Sequence, residues 1–188
     1  MRAIVAAIRD GRLDAEARLV VSNNGECPAL AFARAEGLPN RHISATTEGG
    51  AEAADIAIAD AMQAAGAELI VLSGYMRKLG PQTLQRFAGR ILNIHPALLP
   101  AHGGLGLYGR RVHDAVKAAG DLVSGATVHV ADSDYDTGPI LAQRSVRLEP
   151  DDTAEDIERK VTGIEPGLFV ETLRNIASGA LTLPDPGP

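Results

Sequence analysis

The sequence is short of aromatic rings, cysteine and positive charge. It has no tryptophan, and aromatics make up 3% of its 188 residues. A core must therefore be assembled mainly from Ala, Val, Ile and Leu. The single cysteine, Cys27, excludes an internal disulfide and a cysteine-built metal cluster. It points to a reducing, cytoplasmic setting. Cys27 itself reads as a small buried hydrophobe, with a reactive thiol as the alternative. Lys and Arg number 18 against 24 Asp and Glu, a formal net charge of -6. Without basic clusters, that balance argues against a nucleic-acid or membrane-surface binder. No apolar stretch approaches the ~20 residues that span a bilayer. The opening MRAIVAAIRDG, with acidic residues close behind, does not read as a signal peptide.

What is present is an alternation of strand-like and helix-like periods. Ile4, Val5 and Ile8 share a helical face, and Gly11 supplies a stop. RLVVSNN (18–24) reads as a short strand, CPALAFARAEG (27–37) as a helix, RHIS (41–44) as a short strand, and 51–66 as a long Ala-rich helix. ELIVLSG (68–74) is the strongest strand signal, because its apolar run is continuous, as in a parallel strand covered on both faces. GPQTLQRFAG (80–89) reads as a helix, RILNIH (90–95) as a strand and 110–119 as a helix. The segments 125–131 and 139–148 alternate more and suit an antiparallel pair joined by DSDYDTG (132–138). Residues 151–179 predict one long helix or two, with Thr153 as cap and Pro166 as the break. The pattern predicts one α/β domain over 1–188, Rossmann-like, with an open, mostly parallel sheet and helices on both faces, and a frayed Pro-rich tail at 182–188.

Ligands in such sheets bind outside the carboxyl ends of the strands. The polar groups gather there: Ser22-Asn23-Asn24, Ser73-Gly74-Tyr75, and Asn93 to His95. Asn93 and His95 are two apart, so an extended strand puts them on one face. Pro96 keeps His95 extended. A histidine can give or take a proton near neutrality, and an amide can donate to a developing oxyanion. DSDYDTGP offers the missing carboxylate, and Asp136 is the candidate in its turn. The three together suit attack of an amine on an activated acyl group. The same residues have plainer readings: a strand-end histidine often only hydrogen-bonds its surroundings, and an Asp in DxDxxTG often only forms a turn. A calcium loop fits poorly, for want of the later bidentate Glu. A metal site built from His95, His102, His113 and His129 would draw on unlike elements.

LNIHPALLP, then GLYGRRVHDAV, SGATVHVADSDYDTGPIL and an acidic-started C-terminal helix, in that order, resemble the glycinamide ribonucleotide (phosphoribosylglycinamide) formyltransferases. These are folate-dependent transferases of purine biosynthesis and one-carbon metabolism. The NxHP–LLP motif alone marks the wider formyltransferase-domain group. YGRRVHDAV and VHVADSDYDTGP favour the glycinamide ribonucleotide branch. The resemblance covers nearly the whole chain and implies the formyltransferase fold. It implies a catalytic trio of Asn93, His95 and Asp136. It further implies that 10-formyltetrahydrofolate, a co-substrate needing no metal, binds between Tyr75, Met76, Arg77 and Leu79 on one side and Ala131, Asp132 and Asp134 on the other. Glu165 and Ile94 would contact the nucleotide substrate. His129 reads either as a support for the Asp136 loop or as a packed strand histidine.

The resemblance also carries departures. The family opens with a strand and a glycine-rich GxGSN loop that cradles the substrate phosphate, whereas MRAIVAAIRDG resembles the helix that follows them. The expectation is a weakened phosphate site, with Arg2 a partial replacement, and a sheet whose exposed edges could pair two chains into a homodimer. Pro166-Gly167 stands where the family keeps a helical stretch with His, and Thr162 where a Gln is frequent. The alternatives to formyl transfer onto glycinamide ribonucleotide are transfer to another amine, such as an amino sugar nucleotide, or a non-catalytic folate-binding remnant.

Overall fold

Seven helices and six strands form along the chain, in a computed structural model that describes residues 1–185. Helix α1 (Arg2–Arg9) leads to β1 (Val20–Ser22), then α2 (Pro28–Ala35), β2 (Asn40–His42), the short α3 (Ala45–Glu48) and α4 (Ala51–Ala64). After these come β3 (Ile70–Val71), α5 (Pro81–Arg86), β4 (Ile91–His95), α6 (Arg110–Ala119), β5 (Val123–Val130), β6 (Ile140–Arg147) and α7 (Ala154–Ala177). The result is a mixed α/β fold with helices on both faces.

The strands fall into two groups. β1 and β2 pair in parallel, and a four-stranded sheet runs β3-β4-β5-β6. Within the larger sheet β3 and β4 are parallel, while β5 is antiparallel to both β4 and β6. A groove of about 960 Å³ lies between β1 and β3, walled by Val20, Val21, Ile70 and Val71 and by Ile4 and Ile8 of α1. At one end of it Arg18 Nε donates to Ala65 O at 2.9 Å; at the other the Met1 ammonium donates to Ser73 Oγ at 3.0 Å.

The main core forms where α1, α6 and α7 cover β4 and β5. Leu92, Val116, Ala126, Val128, Val161 and Phe169 are buried in it. The expected alternation does not hold in β5, which is buried from Ser124 to Val130: α7 packs on the face of Ala126 and Val128, while Ala97, Leu99 and Asp136 lie against Thr127 and His129 on the other. The continuous apolar run 68–74 also gives less strand than its composition predicts. Only Ile70 and Val71 pair, with Ile91 and Leu92, because the ladder exists on one edge and the groove lies on the other.

Helix α7 runs through Pro166 without breaking. Thr153 caps it in a reciprocal capping box with Asp156, and the buried Val161, Leu168, Phe169 and Leu173 pin both sides of the proline to the core. That packing outweighs the hydrogen bond the proline removes. Cys27 is not a buried hydrophobe. It is half-buried and caps α2, accepting from Leu30 N at 3.5 Å and donating to Ser22 Oγ at 3.1 Å. The tail is docked where it is described: Leu183 packs on the main core and Pro184 O accepts from Arg90 Nη1 at 3.2 Å. The last three residues of the expected Pro-rich tail, 186–188, lie outside the described residues.

One carboxylate fixes the helix that follows the 75–79 segment. Helix α5 has no side-chain cap of its own at Gly80. Buried Asp55, from α4, accepts from Gln82 N at 2.7 Å, Thr83 N at 3.1 Å and Thr83 Oγ1 at 2.6 Å. It supplies from another helix what an N-cap residue supplies locally. Gly80 is required there, since a Cβ would fall 2.3 Å from Asp55 Cγ.

Candidate active site

Strand β4 delivers Asn93 and His95 to the end of the sheet on alternate positions, as the period of an extended chain demands. Ile94 lies between them and packs its side chain against the main core. Asn93 sits opposite His129 in the β4–β5 ladder, and His95 opposite Thr127. The Asn93 Nδ2 to His129 Nε2 distance is 3.2 Å. His129 Nδ1 lies 3.0 Å from the Val130 carbonyl.

Asp136 enters from the loop between β5 and β6. Its φ is 59°, in the left-handed region that Asp tolerates better than most residues. Its Oδ2 accepts from Gly104 N at 3.0 Å and stands 3.3 Å from His95 Nδ1, while its Oδ1 stands 3.5 Å from His129 Nε2. Burial alone would raise the Asp136 pKa. Hydrogen bonding to His129, His95 and the Gly104 N–H outweighs burial and holds the carboxyl well below the usual carboxylate range. The three side chains are 11%, 4% and 2% exposed for Asp136, His95 and His129.

Two features of β5 and β6 aim this loop. The register shifts by one residue between Val128 and His129, a bulge at the position that faces Asn93. Gly138, at the base of the loop, lets the chain pass so close to β5 that a Cβ would fall 1.9 Å from Val130 O. Thr127 fixes the other wall: its Oγ1 donates to Ala97 O at 2.6 Å and accepts from Leu99 N at 3.0 Å, which sets the Pro96–Pro100 loop. His95 Nε2 faces the carbonyl of His102 at 2.8 Å, so both nitrogens of the ring meet acceptors.

The sequence-predicted folate segments come together across the site. Lys78 Nζ lies 5.3 Å from the centroid of the Tyr135 ring, joining segment 75–79 to the 131–136 loop. Tyr75 and Leu79 are half-buried, whereas Arg77 is exposed and Met76 is 62% exposed. Burial raises the Tyr75 pKa. Ala131 N donates to Ile91 O at 2.8 Å, which ties the start of the loop to β4. Asp132 turns inward on its own loop, accepting from Asp134 N and Thr137 Oγ1, each at 3.0 Å, and Asp134 is exposed. Glu165, on α7, is half-buried; burial raises its pKa, and the charge of His95 works in the opposite direction, which places it in electrostatic reach of the trio.

His113 is buried on α6 with Nδ1 unpartnered, and burial pushes its pKa down. The four histidines His95, His102, His113 and His129 lie on a strand, a loop, a helix and a second strand. Among the described residues no three His, Cys, Asp or Glu side chains converge as metal ligands.

A formyl transferase family model matches residues 1–173. The chain belongs to the formyl transferase family. It is 38% identical over 173 residues to the chloroplastic phosphoribosylglycinamide formyltransferase of Arabidopsis thaliana, covering 92% of this chain and 59% of that protein. The Haemophilus influenzae phosphoribosylglycinamide formyltransferase is 34% identical over 185 residues, 98% of this chain and 85% of that protein. Among solved structures, glycinamide ribonucleotide transformylase 1 from Symbiobacterium toebii superposes with a TM-score of 0.89 at 34% identity, covering 98% of this chain and 85% of that one. The Bacillus halodurans phosphoribosylglycinamide formyltransferase gives 0.85 at 32%, covering 95% and 90%. The chain spans less than two thirds of its two plant relatives, 59% and 55% of their lengths. Membership of the formyl transferase family and the mixed α/β fold are thus established by independent likenesses of sequence and structure.

Proposed function

We propose that this formyl transferase family member moves a formyl group from 10-formyltetrahydrofolate to the amine of glycinamide ribonucleotide, a step of purine biosynthesis. The observation that supports this most is the placement of Asn93 and His95 on one face of β4 beside a carboxylate, Asp136, that stays ionised. The relatives named above carry the same activity in their names.

The amine nitrogen attacks the formyl carbon, and the carbonyl electron pair moves onto oxygen. Asn93 donates an amide N–H to that oxyanion, and His95 adds a hydrogen bond from Nδ1, which stands at the longer distance of 3.3 Å from its acceptor Asp136, while Nε2 stays on the His102 carbonyl. Asp136 orients the His95 ring through Nδ1. The attacking nitrogen then gives up its proton, by way of His95 or a water held by Asp136. The electron pair on the oxygen then returns to re-form the carbonyl, the bond from the formyl carbon to the folate nitrogen breaks with its pair staying on that nitrogen, and the nitrogen takes the proton that the amine gave up. The 75–79 segment and the 131–136 loop bind the folate, and Glu165 binds the nucleotide substrate. Ile94 contributes its backbone. A lone thiol and these small soluble substrates suit the cytoplasm.

Product analysis tests this reading. With a formyl group carrying carbon-13, the label should appear on the glycinamide amine at one equivalent per tetrahydrofolate released. Label appearing as free formate, or only on a different amine, would refute it. The trio's role is independent of how the substrate phosphate is held.

A further inference from the structure

We propose that His102 and Asp121 are positioning residues that hold His95 through a backbone carbonyl; this rests on the role given to His95 above. His102 is one of two non-glycine residues with a positive φ, at 54° among the described residues; the other is Asp136. A histidine adopts that conformation only where its surroundings hold it. Two contacts do so, leaving the residue in different directions. Its carbonyl accepts from His95 Nε2 at 2.8 Å, and its ring Nε2 lies 2.6 Å from Asp121 Oδ2.

Asp121 is set on a rigid junction. It follows Gly120, the left-handed cap of α6 at φ 70°, and its N–H bonds to Val116 O at 3.4 Å. Two residues later β5 begins, the strand whose Thr127 faces His95 in the ladder. The same framework therefore fixes the β4 backbone beneath His95 and, through Asp121 and His102, the acceptor above it. Two residues past His102, Gly104 N donates to Asp136 Oδ2 at 3.0 Å. Loop 102–104 thus touches both members of the His95–Asp136 pair, and Asp121 anchors the loop through the His102 side chain.

Without the anchor the His102 carbonyl is free to leave, and the His95 ring can turn about its side-chain torsions away from Asp136. Chemistry suffers, because misplacement of a reacting group by about 1 Å can cost on the order of a hundredfold. Binding does not, because neither residue belongs to the 75–79 or 131–136 segments.

The test compares the full chain with Asp121→Ala, Asp121→Asn and His102→Asn, the last chosen because Asn tolerates the left-handed region but is too short to reach Asp121. Expected is a fall in kcat of about tenfold for Asp121→Ala and His102→Asn, with both KM values within about twofold, and partial rescue in Asp121→Asn, which keeps an acceptor oxygen. Nitrogen-15 NMR should show a slowly exchanging proton on His95 Nε2 in the wild type that exchanges faster in the two damaging variants. Wild-type kcat in those variants, or a lower kcat with an unchanged His95 signal, would overturn the proposal. If the wild type itself transfers no formyl group, the reading of function fails. The NMR comparison still decides the clamp, which an Asp121-independent Nε2 signal would refute.

Discussion

Asn93 and His129 face each other across the β4–β5 ladder, with the Asn93 amide nitrogen 3.2 Å from His129 Nε2. Because His129 also stands 3.5 Å from Asp136 Oδ1, this one strand histidine touches two members of the trio. It turns the amide so that its second N–H is free for an oxyanion. His129→Ala should lower kcat by about tenfold to a hundredfold, in the range reported for partners that orient a reacting group, while folate KM holds. An unchanged kcat would make His129 a packed strand residue only.

Asp136 is held ionised well below the usual carboxylate range. A depressed folded-state pKa adds stability that is full above the unfolded value, near ~4, and is lost as pH falls through the lower folded value. In the wild type, then, the carboxylate stays charged down to pH ~4 and Asp136 does not set the acid limb of the rate profile above it. Asp136→Asn should cut kcat by about a hundredfold or more and remove this share of stability at neutral pH. Thermal midpoints of the two proteins measured at pH 7 and in strong acid should converge in acid.

Glu165 works the other way. Burial raises its pKa in the folded chain. A carboxyl with a raised folded pKa favours the fold below its unfolded value of ~4.3 and loses that benefit as pH rises through the folded value. Glu165→Gln should therefore raise the midpoint of unfolding at pH 7 and leave it unchanged below pH ~4, where both side chains are neutral. The same change should raise the KM for the nucleotide substrate. A lower midpoint at pH 7 would contradict the assignment of burial as the dominant influence on this group.

Asp55 caps α5 from another helix and accepts three hydrogen bonds while buried. Asp55→Ala leaves two backbone N–H groups and a hydroxyl without that acceptor, at a cost of about 1–3 kcal/mol for each buried donor left bare. Denaturant titration should show the loss. A loss well under 1 kcal/mol would mean that water replaces the carboxylate. Gly80→Ala should destabilise by a comparable amount, since its Cβ would fall within 2.3 Å of Asp55 Cγ.

Lys78 and Tyr135 join the two segments proposed to bind folate through a cation–π contact of 5.3 Å. At an exposed site such a contact is worth about 0.5–1 kcal/mol. Tyr135→Leu should accordingly raise folate KM by roughly twofold to fivefold with little change in kcat. No change in KM would separate the pair from folate binding.

Much of this site was legible because it depends on short-range geometry. Asn93 and His95 share a face by the period of a strand, Pro96 keeps that strand extended to its end, and Thr153 announces the start of α7 as a cap. What was not legible depends on register or on tertiary packing. Which residue of β5 faces Asn93 follows from a ladder and a bulge that no local pattern declares. That His102 would offer its carbonyl to His95, or that Asp55 would cap a helix through Gln82, 27 residues further on, is set by the approach of separate elements. Pro166 misleads because its local penalty is real but smaller than the packing of Leu168, Phe169 and Leu173 beyond it. The run 68–74 misleads in the opposite sense, since apolar content shows that a segment is covered but not how many of its residues find a paired neighbour.

The most direct measurement is steady-state formyl transfer from 10-formyltetrahydrofolate to glycinamide ribonucleotide by this 188-residue chain, beside His95→Ala. The predicted result is turnover by the wild type that falls by about a hundredfold or more in the variant, with folate binding retained in both. Turnover that survives His95→Ala, or folate binding with no transfer by the wild type, would contradict it.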